Sequence, residues 1–295
     1  MSKYKIKNYS EEFLEAQEEV GKEATKDWNG FGQSSADRLK TLYSQEGFDP
    51  ETKFYAFEGD KLVGFLTSVI VPEKEPGVKI ARLELPITLA GHEESSDLLF
   101  NKAVETLQKK GINKLQTRVG EVYIGTTEKA EKYGYKYSQV LYILMQAKIS
   151  ELTSKESDVE VLEFDAKRDT EQMVQIFVEK LGQTEEYSRG NFERVSKDKE
   201  NFPVHLVVRE KDQIVGRALA YRNPNNPKEF NLGSMYLEDE QFFEPLTSKA
   251  ISMLKSLGAE KIGSFLFGPT LSMEDKYSSL GFSRTGKIDM YEKEI

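Results

Sequence analysis

The chain has 295 residues, and a loose prior of about 150 residues per domain favours two ordinary domains. Zero cysteines and two histidines, His92 and His205, exclude a disulfide framework, a thiol nucleophile and a Cys/His zinc cluster. A net charge of −9 repels a phosphate backbone and argues against bulk nucleic-acid binding, while 38% apolar residues suffice for folded cores.

The opening MSKYKIKNYSEEF lacks the apolar stretch of a secretory signal. The most apolar runs, Leu62 to Val71 and Val140 to Ala147, fall far short of the roughly 20 residues that span a bilayer. Both read as buried strands, and the expectation is a cytoplasmic protein, a monomer or homodimer, without a membrane segment.

In chain order, residues 3–7 read as a strand. Helices follow from Ser10, a candidate N-cap, to about Lys26, and from about Ser35 to Glu46. Lys53 to Phe57 and Leu62 to Val71 form a hairpin around Glu58, Gly59 and Asp60. Val78 to Leu89 is a long strand interrupted by Pro86, which cannot donate to a ladder and so marks a bulge or a splay. A helix over about Ser96 to Lys110 stacks Leu99, Ala103 and Leu107 on one face. The strand Asn113 to Val119, a short helix near Thr127 to Tyr133 and a closing strand through Tyr135 to Ile149 complete the unit.

The polar stretch SELTSKESD, residues 150–158, reads as a linker, dividing the chain into domains at 1–149 and 159–295. The same order of elements then recurs. Leu99, Ala103, Leu107, Gly111, Leu115 and Gly134 match Leu246, Ala250, Leu254, Gly258, Ile262 and Gly281 at an offset of 147. Earlier, Asp60 to Gly64 matches Asp212 to Gly216 at an offset of 152. Apolar periodicity alone would be unremarkable in any α/β protein. The glycines carry more, because Gly111 and Gly258 each stop a helix where a left-handed cap is wanted.

The hairpin motifs DKLVGF and DQIVGR, and the endings EKAEKYGY and EDKYSSLGF, resemble the GNAT family of acyl-CoA-dependent N-acyltransferases. Two such units in one chain look like the tandem arrangement of mycothiol synthase and its relatives. The resemblance implies an α/β (α+β) fold with two tandem GNAT-like domains, each a mixed, mostly antiparallel central sheet flanked by helices. It also implies transfer of an acetyl or other acyl group from acyl-CoA to an amine of a small molecule or peptide. The acyl-CoA would lie where the fourth strand splays from the fifth, against Met235, Tyr236 and Leu237 in the second half and Leu89 and Gly91 in the first.

On the family's pattern Tyr277 stands where the acid that protonates the thiolate often sits, and its counterpart in the first half is Ala130. Activity is therefore expected in residues 159–295, with Glu238 and Asp239 as bases and Glu84 as a further candidate in the first copy. Trp28 and Phe31, between the first two helices, and Tyr187 in the second half fall in the region that shapes the acceptor pocket. Tyr277 also reads as an aromatic packed on the sheet, and Arg189, Arg194 and Arg217 as solvated cations that could meet an anion. The histidines lie in different halves, and no metal site is expected.

The family's phosphate-binding loop is kept in neither half. AGHEESSD and EDEQFFEP stand in its place, with eight residues each, and bring Glu93, Glu94, Asp97, Glu238, Asp239, Glu240 and Glu244 where phosphates would lie. Like charges about 4 Å apart repel by roughly 1 kcal/mol in water and about 4 at an effective dielectric near 20. The same acids also suit a helix macrodipole. The second reading is accordingly a catalytically inactive relative that serves as a binding or scaffold module. A third, a transferase using aminoacyl-tRNA, is opposed by the net charge.

Overall fold

A computed structural model describes residues 3–28, 32–73, 75–153, 157–224, 226–233 and 235–295. The first half runs β1 (Tyr4–Asn8), α1 (Leu14–Ala24), α2 (Ala36–Tyr43), β2 (Lys53–Glu58), β3 (Lys61–Ile70), β4 (Ile80–Leu83), β5 (Ile87–Thr88), α3 (Glu94–Lys109), β6 (Lys114–Gly120), α4 (Thr126–Lys132) and β7 (Lys136–Lys148). The second runs β8 (Val161–Glu163), α5 (Ala166–Leu181), α6 (Glu185–Lys197), β9 (Val204–Glu210), β10 (Gln213–Asn223), β11 (Asn226–Leu232), β12 (Tyr236–Leu237), α7 (Phe243–Ser256), β13 (Lys261–Leu266), α8 (Glu274–Ser279) and β14 (Ser283–Glu294).

Two compact units result: residues 1–141 with 287–295, and residues 142–286. In the first, the strand order is β1-β2-β3-β4-β6-β14, and in the second β8-β9-β10-β11-β13-β7. Each order has one parallel pair, β4 with β6 and β11 with β13, among antiparallel neighbours. The last strand of each unit is drawn from the other half of the chain: Ile143 to Lys148 pair with β13, and Ile288 to Glu294 pair with β6. The two sequence repeats thus fold to one topology.

Local chemistry explains the elements. The β2–β3 hairpin closes Glu58 on Lys61 through Gly59 and Asp60, and its partner closes through Lys211 and Asp212, both in the left-handed region. Gly111 and Gly258 end α3 and α7 at φ of 78° and 74°. Ser35 caps α2, its side chain accepting from the Arg38 amide. Ser10 does not act as expected: a 3-10 turn over Glu11–Phe13 precedes α1, and the Ser10 hydroxyl donates to Glu12 instead of accepting from the helix. α3 begins two residues before the expected Ser96, and its Leu99, Ala103 and Leu107 are fully buried, as are Leu246, Ala250 and Leu254 on α7. Burying a leucine contributes about 1.5–3 kcal/mol. Among the described residues no helix is long and apolar enough to cross a membrane.

Gly64 positions the later part of the first unit. β5 pairs with β3, with Gly64 opposite Thr88 and Phe65 opposite Ile87. A Cβ at Gly64 would lie 2.6 Å from Thr88 Cγ2 and 2.9 Å from the Ile87 carbonyl oxygen. Gly64→Ala is expected to push β5 off β3 and to cost about 1–3 kcal/mol. A lowered urea midpoint checks the cost, and a shifted Trp28 emission checks the displacement, because Ile87 and Trp28 line one cavity.

Candidate functional site

Pro86 does what its chemistry requires. β4 runs parallel to β6 from Ile80 to Arg82, after which the Glu84 and Leu89 amides turn to the Thr67 and Val63 carbonyls and β5 follows β3. The strands part there. The second unit parts in the same way: β11 follows β13 to Leu232, the Gly233 amide turns to the Leu219 carbonyl, and β12 joins β10.

In the first unit a cavity of about 500 Å³ adjoins the parting and is lined by Trp28, Arg38, Phe65, Glu84, Arg118 and Tyr123, among others. The Trp28 and Tyr123 rings meet at 5.0 Å between centroids, tilted by 57°. Glu84 and Arg118 form an ion pair and are each about a third exposed on their side chains. On α4, the half-buried Lys129 donates to the Pro86 carbonyl at 2.8 Å. Desolvation lowers its pKa, reinforced by Lys132 and opposed by Glu93 and Asp97.

No family model matches the sequence, and no curated protein matches it. Solved structures do. A GCN5-related N-acetyltransferase from Sphaerobacter thermophilus superposes with a TM-score of 0.71 at 12% identity, covering 100% of this chain and 96% of that one. A tandem GNAT protein from the clavulanic acid biosynthesis pathway gives 0.66 at 13% identity, covering 99% and 98%. The chain has a tandem GNAT fold. Saccharomyces cerevisiae N-myristoyltransferase, solved with bound myristoyl-CoA, also aligns, with a TM-score of 0.52, 13% identity and coverage of 99% and 78%.

A GNAT fold that uses acyl-CoA needs free amides at the start of its long helix to take the pyrophosphate. In the first unit these amides are engaged internally. Gly91, at φ 83°, donates to the Glu93 carboxylate at 2.9 Å, Ser95 donates to the His92 carbonyl and Ser96 to the Glu93 carbonyl. The Gly91 amide, together with its own, holds the Glu93 carboxyl below its usual range, so the amides of this turn face the chain's own anion. Asp97 ties α3 to α4, accepting from Lys132 at 2.6 Å and from the Tyr133 hydroxyl at 3.0 Å.

The second unit fits no better. Asp239 accepts from the Gln241 amide at 2.8 Å, capping a 3-10 turn over Glu240–Phe242, and Pro245 removes a donor from the first turn of α7. The residues of neither unit make the cradle that the CoA pyrophosphate requires.

The sequence-derived candidates separate accordingly. Trp28 and Glu84 meet in the first-unit cavity. Tyr187 lies on α6 of the second unit, 63% exposed, and Phe31 lies outside the described residues. Leu89 and Gly91 form the turn into α3, with the Leu89 carbonyl accepting from His92. Tyr277 is buried between Phe243 and Phe282, at 4.9 and 5.2 Å, and burial pushes its phenol up to about 12 against a hydrogen bond with Ser264. Glu238 faces elsewhere, pairing with Lys180 and accepting from the Tyr236 hydroxyl. Met235 accepts from Thr247 at 3.9 Å, and Leu237 pairs with Gly216.

Arg118, Tyr123 and Lys129 escaped the sequence reading. Arg118 had a signal: along β6, Leu115, Thr117 and Val119 are buried in alternation with Lys114, Gln116 and Arg118, so the arginine shares the less buried face of a central strand. Arg217, expected on a solvated surface, is instead 3% exposed.

Proposed function

We propose that the protein is a binding module on a tandem GNAT fold, with the first-unit cavity as its ligand site. The observation that supports this best is the contrast between an open, aromatic-lined cavity and the turns leading into α3 and α7, where backbone amides are held by the chain's own carboxylates. The ligand class is an amine on a small molecule or peptide. Its ammonium would share the Glu84 carboxylate with Arg118, and its apolar body would lie on Trp28 and Tyr123.

Trp28 is the only tryptophan, so its emission reports directly on the cavity. Tyramine is expected to change it saturably, and Glu84→Gln to weaken that response by about tenfold, the scale of one charge-assisted hydrogen bond. Acetyl-CoA at high micromolar concentration is expected to leave both the emission and the calorimetric baseline unchanged. Saturable heat from acetyl-CoA or a longer acyl-CoA would overturn the non-enzymatic reading.

That outcome would favour acyl-CoA-dependent N-acyltransfer. The observation on its side is the parting of the fourth and fifth strands in both units, the feature by which this fold accommodates a thioester.

A further inference from the structure

Arg217 lies in the interior of the second unit, with no carboxylate partner among the described residues. It sits on β10, opposite Val207 of β9 and Tyr236 of β12. Its guanidinium is flanked by the rings of Phe177 on α5 and Phe192 on α6, 5.5 and 5.2 Å from their centroids. Nε donates to His205 Nε2 at 2.9 Å, which places the imidazole proton on Nδ1. His205 stacks on Phe164 at 3.9 Å and 9°, so the guanidinium plane is fixed from behind.

His205 offers no compensating charge. Burial, and then the Arg217 charge, push its pKa down to about 2, so it stays a neutral acceptor. Desolvation brings Arg217 down to about 10, still charged at neutral pH. Among the described residues no carboxylate pairs with Arg217, and its Nη2 has no hydrogen-bond partner. The closest candidate in sequence register, Glu238, is taken by Lys180 and Tyr236. Two aromatic faces and one imidazole only partly offset the cost of holding a cation out of water.

The place in the fold matters as much as the charge. At the offset of 152 that aligns Gly64 with Gly216, Arg217 is the counterpart of Phe65, which lines the first-unit cavity. An apolar wall position in one unit is a fixed guanidinium in the other. A guanidinium held by Nε presents its remaining N–H groups in one plane, the geometry that receives a carboxylate bidentately.

We propose that Arg217 anchors a carboxylate-binding site beneath α5 and α6 of the second unit, for an organic acid or a peptide carboxy terminus with an apolar body. The site is independent of the amine site proposed for the first unit, and its ligand needs no CoA.

The probes are benzoate, its neutral analogue benzamide, and a tripeptide ending in phenylalanine as the free acid and as the amide. In calorimetry on the full-length protein, benzoate or the free-acid peptide is expected to bind saturably, with the matching amide at least tenfold weaker. Binding by benzoate identifies a small acid as sufficient; binding by the peptide alone identifies a chain terminus. Arg217→Met, which fills similar space without charge, is expected to weaken the acid at least tenfold and to abolish the rise in Tm that the acid gives the wild type. Failure of both acids to bind at tens of millimolar overturns the proposal without recourse to the variant. Equal Tm rises in wild type and Arg217→Met, or equal binding of acid and amide, overturn it as well.

Discussion

Replacing Asp169 with alanine is expected to destabilise the protein by about 3–5 kcal/mol, the scale for breaking a buried ion pair from one side. Asp169 is fully buried near the start of α5. It accepts from the Asp165 amide at 2.8 Å and from Arg168 Nε at 2.7 Å, and it pairs with Arg209 of β9, itself 13% exposed on its side chain. Alanine leaves Arg209 without its carboxylate and removes the tie from the start of α5 to β9. Asp169→Asn keeps the shape but turns an amide toward two guanidinium groups, and an intermediate loss is expected. Burial alone would raise the Asp169 carboxyl; hydrogen bonds from Arg168, the Asp165 amide and Arg209 outweigh it and hold the pKa below the ordinary 3.8. A depressed folded-state pKa stabilises above the unfolded value, and that contribution is lost as pH falls through the folded one. Urea midpoints at pH 7 and pH 3 therefore check both parts: the variant loses stability at pH 7, and the difference from wild type shrinks at pH 3. Because α5 also carries Phe177 against Arg217, Asp169→Asn should weaken benzoate binding less than Arg217→Met does.

The fold was legible where physical chemistry acts locally. Turn residues at Glu58 to Asp60, glycines after two helices and a proline inside a strand each dictate a backbone event within a few residues. The parting of the strands followed from Pro86 because a missing N–H disrupts a ladder wherever it falls. The repeat was legible because two copies of those local signals stood at a near-constant offset. Site residues were less so. Glu84 and Trp28 were readable as candidates, but Arg118 and Tyr123, which complete their cavity, reach it from β6 and from the segment before α4. Arg217 shows the limit most clearly. Its sequence context, DQIVGR, gives an arginine after a strand glycine, and only α5 and α6 packed above it turn that residue from a solvated cation into a buried one. The exchange of closing strands between the units is likewise non-local, since Ile143 to Lys148 and Ile288 to Glu294 have similar patterns and nothing in either names its partner.

Tyr277 separates packing from catalysis. Tyr277→Ala removes a buried ring held between Phe243 and Phe282, and is expected to cost about 3–5 kcal/mol. Tyr277→Phe keeps the ring and removes only the hydroxyl that meets Ser264, itself 3% exposed, so the expected cost is about 1–2 kcal/mol, a lost hydrogen bond and one unsatisfied partner. The phenol's pKa, raised by burial to about 12, adds a second signature. Stability from a raised group is complete below its unfolded value, about 10 for tyrosine, and is lost as pH rises toward the folded one. Tyr277→Phe should therefore shallow the loss of stability between pH 10 and 12. For function the two readings part sharply. A tyrosine that protonates a leaving thiolate contributes on the order of 10² to 10⁴ in rate, and its removal would abolish acyl transfer in a folded protein. A tyrosine that only packs would leave any acyl transfer by the phenylalanine variant at the wild-type rate, with the loss confined to the denaturation midpoint. The second pattern is expected, because Tyr277 is directed at Ser264 inside the core while Glu238 is held by Lys180 and Tyr236; an acid and a base serving one reaction would have to face a common space.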